Sequence, residues 1–228
     1  MIINNETLSE KTLDILKSFS SINPSIVIKP GKSLRTISNQ KTIMAVANCE
    51  DEFVSTAGIF DLSKFLGTVS LFEKPKFDCN EKVITIHSGR EKVNYTLAES
   101  SMIIQPPDKN IGDIMPSPDV SLDVTWADLQ KVLKAAATLS LPEISFTGND
   151  EGIVLEAIDS KNPTSDKYGT VVGENPEGTK FNLYIKVENL KLMPGNYKVS
   201  LSTKGLSSFV NDKVSYLIAV ESKSTYGG

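Results

Sequence analysis

The feature that most constrains this chain is an internal repeat. Residues 186–221, KVENLKLMPGNYKVSLSTKGLSSFVNDKVSYLIAVE, read as a short apolar helix-like run, a Pro-Gly stop and three strand-like runs separated by turn residues. Residues 59–99 carry the same order, with IFDLSKFLGTVSL as the helix, VITIHSG and KVNYTLAE as closing strands, and YTLAE from Tyr95 echoing YLIAVE from Tyr216. One unit built twice divides the 228 residues into two domains of roughly 110 each, enough for each to bury a core. The expected boundaries are 1–105 and 120–228, joined by a connector at 106–119.

In chain order, Thr7-Leu-Ser-Glu10 has the hydroxyl-x-x-acid pattern of a helix start. Leu8, Ile15, Leu16 and Phe19 then share one face, and Lys11, Asp14, Lys17 and Ser18 the other. After Asn23-Pro24, strands are expected at 26–29, 34–37, 42–47 and 53–59, with turns at Pro30-Gly31 and Ser38-Asn39. Asp61 caps a second helix with Leu62, Phe65, Leu66 and Val69 inward and Lys64 and Thr68 outward. Residues 82–87 and 92–98 form a hairpin about a turn at 87–90.

The connector region, QPPDKNIGDIMPSPD, holds four prolines and no periodicity, so it is expected to run extended over the surface. The second unit opens on Thr125-Trp-Ala-Asp128 and the helix LQKVLKAAATL, with Leu129, Val132, Leu133 and Ala136 inward and Gln130, Lys131, Lys134 and Thr138 outward. Strands are expected at 144–147 and 152–158. Residues 159–178 form a long excursion around one strand at 168–172.

Groups that could do chemistry are sparse. His87 is the only histidine and sits beside a turn, which makes it a surface residue rather than a general base. Gly31-Lys32-Ser33 lacks the earlier glycine and the following helix of a phosphate loop and reads as a turn. Asn94-Tyr-Thr96 matches a glycosylation acceptor without an export signal, and Gly227-Gly228 reads as a frayed tail. Asp150, Glu151 and Asp159 lack calcium-loop spacing, and Cys49 and Cys79 lack metal-ligand spacing, so no metal, cofactor or disulfide is expected. No run reaches a membrane span and the N-terminus is not a signal peptide, so a cytoplasmic protein without membrane contact is expected. The net charge of −4 excludes a surface that coats nucleic acid throughout and leaves room for a local basic face. Outward-facing lysines recur on the helices: Lys11, Lys17, Lys64, Lys131, Lys134, Lys186 and Lys191. Such lysines are ordinary on solvated faces, so composition alone favours plain solvation.

Taken in order, the opening LDILKSFSSINPSIVIKPG, the IFDLSKFLGTVSL helix, the KLMPGNYKV run from Lys191 and the closing YLIAVES from Tyr216 resemble the sliding clamps of T-even-type tailed bacteriophages, the processivity factors of the phage replicative DNA polymerase. The resemblance covers nearly the whole chain and is weakest at 74–120 and 159–178. It implies an α+β clamp fold, with two topologically similar domains per chain, four helices lining a central hole, antiparallel sheets outside, and a homotrimeric ring.

A geometric estimate agrees with three chains. Twelve helices about 10 Å wide describe a circle of roughly 120 Å and leave an opening near 28 Å, whereas eight leave only about 15 Å. Duplex DNA, roughly 20 Å across, passes only the larger. The resemblance further implies sequence-independent encirclement of duplex DNA, with the seven lysines facing phosphates. Its implied partners are the phage DNA polymerase, the ATP-consuming clamp loader complex, and a late-transcription sigma-like factor with its coactivator, all in the cytoplasm of the infected bacterium. It implies no catalysis. Partner peptides are expected on the outer face, where Ile111, Ile114 and Met115 beside Leu217 and Ile218 either line a groove or simply staple the connector. Subunits are expected to join through sheet edges, one from each domain. The competing reading is a β-rich viral structural or ligand-binding module without encirclement.

Overall fold

The structure is a computed structural model, which describes residues 7–227. The chain divides after Asp108 into two compact units.

The first unit runs α1 (Glu10–Ile22), β1 (Ile26–Ile28), β2 (Gly31–Ile37), β3 (Ile43–Phe53), β4 (Ala57–Ile59), α2 (Leu62–Val69), β5 (Lys76–Cys79), β6 (Val83–Ser88) and β7 (Glu91–Thr96). Strand β1 pairs with β4 and β2 with β3, while β5, β6 and β7 form an antiparallel sheet in that order. Helix α1 buries Ile15, Leu16, Phe19 and Ile22 against β3 and α2, each side chain contributing about 1.5–3 kcal/mol of apolar burial. Asp61 caps α2 by accepting the Lys64 N–H at 2.8 Å. The β6–β7 hairpin turns through Gly89-Arg90, where Gly89 holds φ +59°, a left-handed value suited to glycine at the first central position.

The second unit runs α3 (Ile111–Ile114), β8 (Val120–Val124), α4 (Trp126–Thr138), β9 (Glu143–Asn149), β10 (Gly152–Ile158), β11 (Tyr168–Gly173), β12 (Phe181–Lys186), β13 (Tyr197–Ser202), β14 (Leu206–Val210), β15 (Val214–Ala219) and β16 (Thr225–Tyr226). One antiparallel sheet has the order β11-β10-β9-β12-β16, and α4 packs Leu129, Val132 and Ala136 on it. Strands β15, β14, β13 and β8 pair in that order. The pairings β1·β4 and β2·β3 thus have counterparts in β9·β12 and β10·β11, and the three consecutive antiparallel strands β5-β6-β7 in β13-β14-β15, after which the second unit adds β16. The repeat read from the sequence is a repeat of topology.

Several local expectations are corrected. The first helix is capped by Ser9 rather than Thr7: the Ser9 hydroxyl accepts the Thr12 N–H at 3.2 Å, which leaves Leu8 outside the helix. Strand β3 continues through Asn-Cys-Glu-Asp-Glu to Phe53, because Cys49, Asp51 and Phe53 alternate inward against an outward Asn48, Glu50 and Glu52. Gly31 begins strand β2 through a bulge instead of ending a turn. The connector contains the helical turn α3, which buries Ile111 and stops before Pro116. Leu133 is half-buried instead of in the core. His87 lies in β6, where its Nε2 meets Asp78 at 3.1 Å, and the turn begins after Ser88.

The largest correction concerns the fourth helix. Only a 3-10 turn, Val187–Asn189, follows β12. Seven residues separate Lys186 from Pro194, too few to offset helix nucleation when one is β-branched Val187 and a proline blocks extension.

Candidate nucleic-acid interface

Each of α1, α2 and α4 buries one stripe and leaves the opposite face to solvent, and the lysines follow from that periodicity. On α1, Lys11 and Lys17 are exposed; on α2, Lys64; on α4, Lys131 and Lys134. The last two, three residues apart, are surface neighbours with Cβ atoms about 5–6 Å apart. Asp128, the acid closest in sequence, is turned to the helix start and accepts from the Thr125 hydroxyl at 2.6 Å. Helix α4 therefore offers a cationic face whose acid is engaged at one end.

The lysines are not equivalent. Lys11 forms an ion pair with Glu50 of β3, so much of its charge is answered within the unit. Lys17, Lys64, Lys131 and Lys134 form no side-chain ion pair among the described residues. Lys17 also borders a groove of about 650 Å³ between α1 and α2, walled by Leu13, Leu66 and Phe72.

Lys186 and Lys191 were placed on the fourth helix, which does not form. Lys186 ends β12 and stands 3.9 Å from Glu188, and Lys191 is exposed in the following loop. That loop is held from below by two buried tyrosines. Tyr197 donates its hydroxyl to the Met193 carbonyl at 2.5 Å, and the Met193 N–H donates to the Tyr216 hydroxyl at 3.0 Å. Burial, reinforced by the neighbouring Tyr216, pushes the Tyr197 phenol far above its ordinary range, so it remains a neutral donor.

The residues considered for a partner groove lie at the connector and β15. Helix α3 packs on β15, with Ile111 buried and Ile114 and Met115 half-exposed. Leu217 shares the side of β15 that carries the half-exposed Ser215 and Ala219, yet it is itself only 7% exposed. Ile218 alternates to the opposite side with Tyr216 and is fully buried. Two adjacent strand residues cannot line one face, so the surface left by this arrangement consists of Ile114 and Met115.

The residues that sequence reasoning missed are two buried carboxylates. Asp51 takes both donors of Ser9 and fixes the start of α1; Glu143 takes Lys223 and Ser160. The signal available for Asp51 was an acid at an inward position of a strict alternation. No cluster of three or more His, Cys, Asp or Glu suited to a metal is gathered among the described residues, and no helix among them is long and apolar enough to cross a membrane.

Comparison with known proteins identifies the architecture. Residues 121–222 match the sequence family described as "gp45 sliding clamp, C terminal". The chain is 31% identical to the sliding clamp of Vibrio phage KVP40 over 94% of its length and 98% of the relative's. It is 29% identical to the sliding clamp of Enterobacteria phage T4 over 96% and 98% of the two chains. Among solved structures, PCNA of A. fulgidus, determined with the C-terminal region of FEN-1, superposes with a TM-score of 0.68 at 15% identity over 96% of this chain and 97% of that one. The β chain of DNA polymerase III from Streptococcus pneumoniae gives 0.64 at 12% identity over 92% and 62%. The structural likenesses establish the clamp fold, and the sequence relationships carry the assignment further: this chain belongs to the phage sliding clamp family.

Proposed function

We propose that three copies of this chain close into a ring around duplex DNA and tether the phage replicative polymerase for processive synthesis. The observation that carries the reading is the set of exposed lysines Lys17, Lys64, Lys131 and Lys134, without an ion pair among the described residues, on the solvent faces of three helices in a protein of net charge −4. A cationic minority surface on an acidic body attracts phosphates at one place and repels them elsewhere. The attraction is screened by salt and reads no bases, which permits sliding, while retention comes from topology. Each chain then lines the hole with α1, α2, α4 and, where a fourth helix was expected, the loop after Val187–Asn189.

Closure of the ring needs two different edges per chain, joined head to tail. Strand β7 ends the β5-β6-β7 sheet, and β11 ends the sheet of the second unit with Val171 54% exposed. Pairing β7 of one copy with β11 of the next would satisfy both edges. The clamp loader, the polymerase, and the late-transcription sigma-like factor with its coactivator would dock on the outer face. The protein contributes no catalysis and works in the cytoplasm of the infected bacterium. The solution mass over a range of concentrations tests the assembly. A species of about 74 kDa, three times 24.8 kDa, supports the ring, and a strict monomer at tens of micromolar would overturn it.

A further inference from the structure

Residues 221–227 form a strap along β12; Gly227, expected in a frayed tail, is its last bonded residue, and Gly228 lies outside the described residues. The Glu221 N–H donates to the Tyr184 carbonyl at 2.8 Å, and the Tyr184 N–H donates to the Ser224 hydroxyl at 3.0 Å. Strand β16 then pairs Thr225 with Asn182 and Tyr226 with Phe181, and the Gly227 N–H donates to the Lys180 carbonyl at 2.9 Å. The Phe181 and Tyr226 rings stack with centroids 5.9 Å apart. Without the strap, β12 would be the open edge of its sheet.

One charged contact latches the strap. The Lys223 ammonium donates to Glu143 Oε1 at 2.5 Å and to the Ser160 hydroxyl, and it stands 4.6 Å from the centre of the Tyr184 ring. The Ser160 hydroxyl donates to Glu143 Oε2 at 2.5 Å. The Glu143 side chain is only 8% exposed, so losing its cation would leave a buried charge unanswered. Lys223 lies in a turn closed by the Ser224 N–H on the Glu221 carbonyl at 3.0 Å, three residues before Tyr226 of β16. The cation reaches the polar face of the sheet, and the ring lies over Phe181.

We propose that the strap is a displaceable occupant of a strand-addition site, and that the site accepts a partner peptide with a cation in a turn and, three residues later, an aromatic side chain on the short strand that follows. Main-chain pairing with β12 supplies the affinity and the two side-chain positions supply the selectivity. Charge complementarity fixes the chemistry: whatever replaces the strap must answer Glu143. A cavity of about 460 Å³ bordered by Lys161, Lys186 and Glu188 lies beside the latch, and Glu221 and Lys223 of the strap form part of its wall. This site does not depend on ring formation or on DNA.

The test uses the full chain, its Lys223→Met and Lys223→Arg variants, and a labelled synthetic peptide of residues 221–227. In Lys223→Met, the amides of Tyr184, Glu221 and Gly227 should exchange with solvent roughly ten- to a hundredfold faster, while that of Phe146 is unchanged. The peptide should bind Lys223→Met at least about tenfold tighter than the wild type, and a peptide with methionine in place of its lysine should not. Lys223→Arg, which keeps the charge, should behave as wild type. Unchanged exchange, or equal binding of both peptides, would overturn the proposal. Dimerisation of Lys223→Met without peptide would overturn it too, assigning the site to the strap of a second copy.

Discussion

Ser9 donates both its backbone N–H, at 2.8 Å, and its hydroxyl, at 2.9 Å, to the same carboxylate oxygen of Asp51. Because Asp51 is 1% exposed, the pair anchors the first turn of α1 to the long strand β3 and sets where the helix starts. Asp51→Ala should cost about 2–4 kcal/mol, since it removes a charged acceptor and orphans two donors. Ser9→Ala, which loses the cap but keeps the backbone donor, should cost about 1 kcal/mol. Urea unfolding of the two variants measures both, and equal small losses would contradict the anchoring role.

The lysines of the helix faces should differ in effect on DNA retention according to their partners. Lys131→Glu with Lys134→Glu should weaken retention by roughly tenfold or more and reduce its salt dependence, with the oligomer intact. Lys11→Glu should do far less, because Lys11 is already paired with Glu50. Retention measured across salt concentrations separates these outcomes, and a Lys11→Glu defect as large as that of the α4 double variant would contradict the ranking.

Acid sensitivity should come from two carboxylates of the second unit. Burial pushes the Glu143 carboxyl up, but hydrogen bonds from Lys223 and Ser160 outweigh it and hold the group below its ordinary value. Burial likewise raises Asp119, and the Thr203 N–H at 2.6 Å and hydroxyl at 2.8 Å, with Ser202, outweigh it. A carboxyl depressed in the folded state stabilises fully above its ordinary value, 4.5 for Glu143 and 3.8 for Asp119, and that contribution is lost as pH falls below it. Urea midpoints should therefore be flat from neutrality to about pH 5 and decline below. Glu143→Gln should start lower at neutral pH and decline less steeply; an unchanged slope would remove Glu143 from the account.

How much of this was legible follows the physics of each signal. The twofold repeat and the helices α1, α2 and α4 show in the sequence because a solvent-bordered helix must alternate polar and apolar faces, as Leu129, Val132, Lys131 and Lys134 do. The strands after Glu188 were equally plain. The fourth helix was misread because Leu190, Leu192 and Met193 mimic an apolar stripe, whereas the loop is set by tertiary bonds to Tyr197 and Tyr216 that no local pattern announces. Residues 48–53 escaped because charge at Glu50, Asp51 and Glu52 masks a strand whose inward acid is satisfied by Ser9, far away in sequence. The C-terminal strap was invisible for the same reason: its cation answers Glu143, eighty residues earlier.

The connector surface gives a further prediction. Met115 is half-exposed beside the buried Ile111, and on the proposed reading it would meet an incoming partner peptide. Met115→Asp should weaken binding of a peptide taken from the polymerase's docking segment by roughly tenfold without lowering the urea midpoint. Unchanged binding with lowered stability would mean that these residues only staple the connector.

Encirclement is tested most directly by loading the protein onto nicked circular DNA with its clamp loader and ATP, removing both, and then cutting the circle once. The ring account predicts that the protein stays on the intact circle at moderate salt and is lost from the ends within the time needed for sliding once the DNA is linear. Equal retention on circular and linear DNA, or equal loss from both, would contradict it.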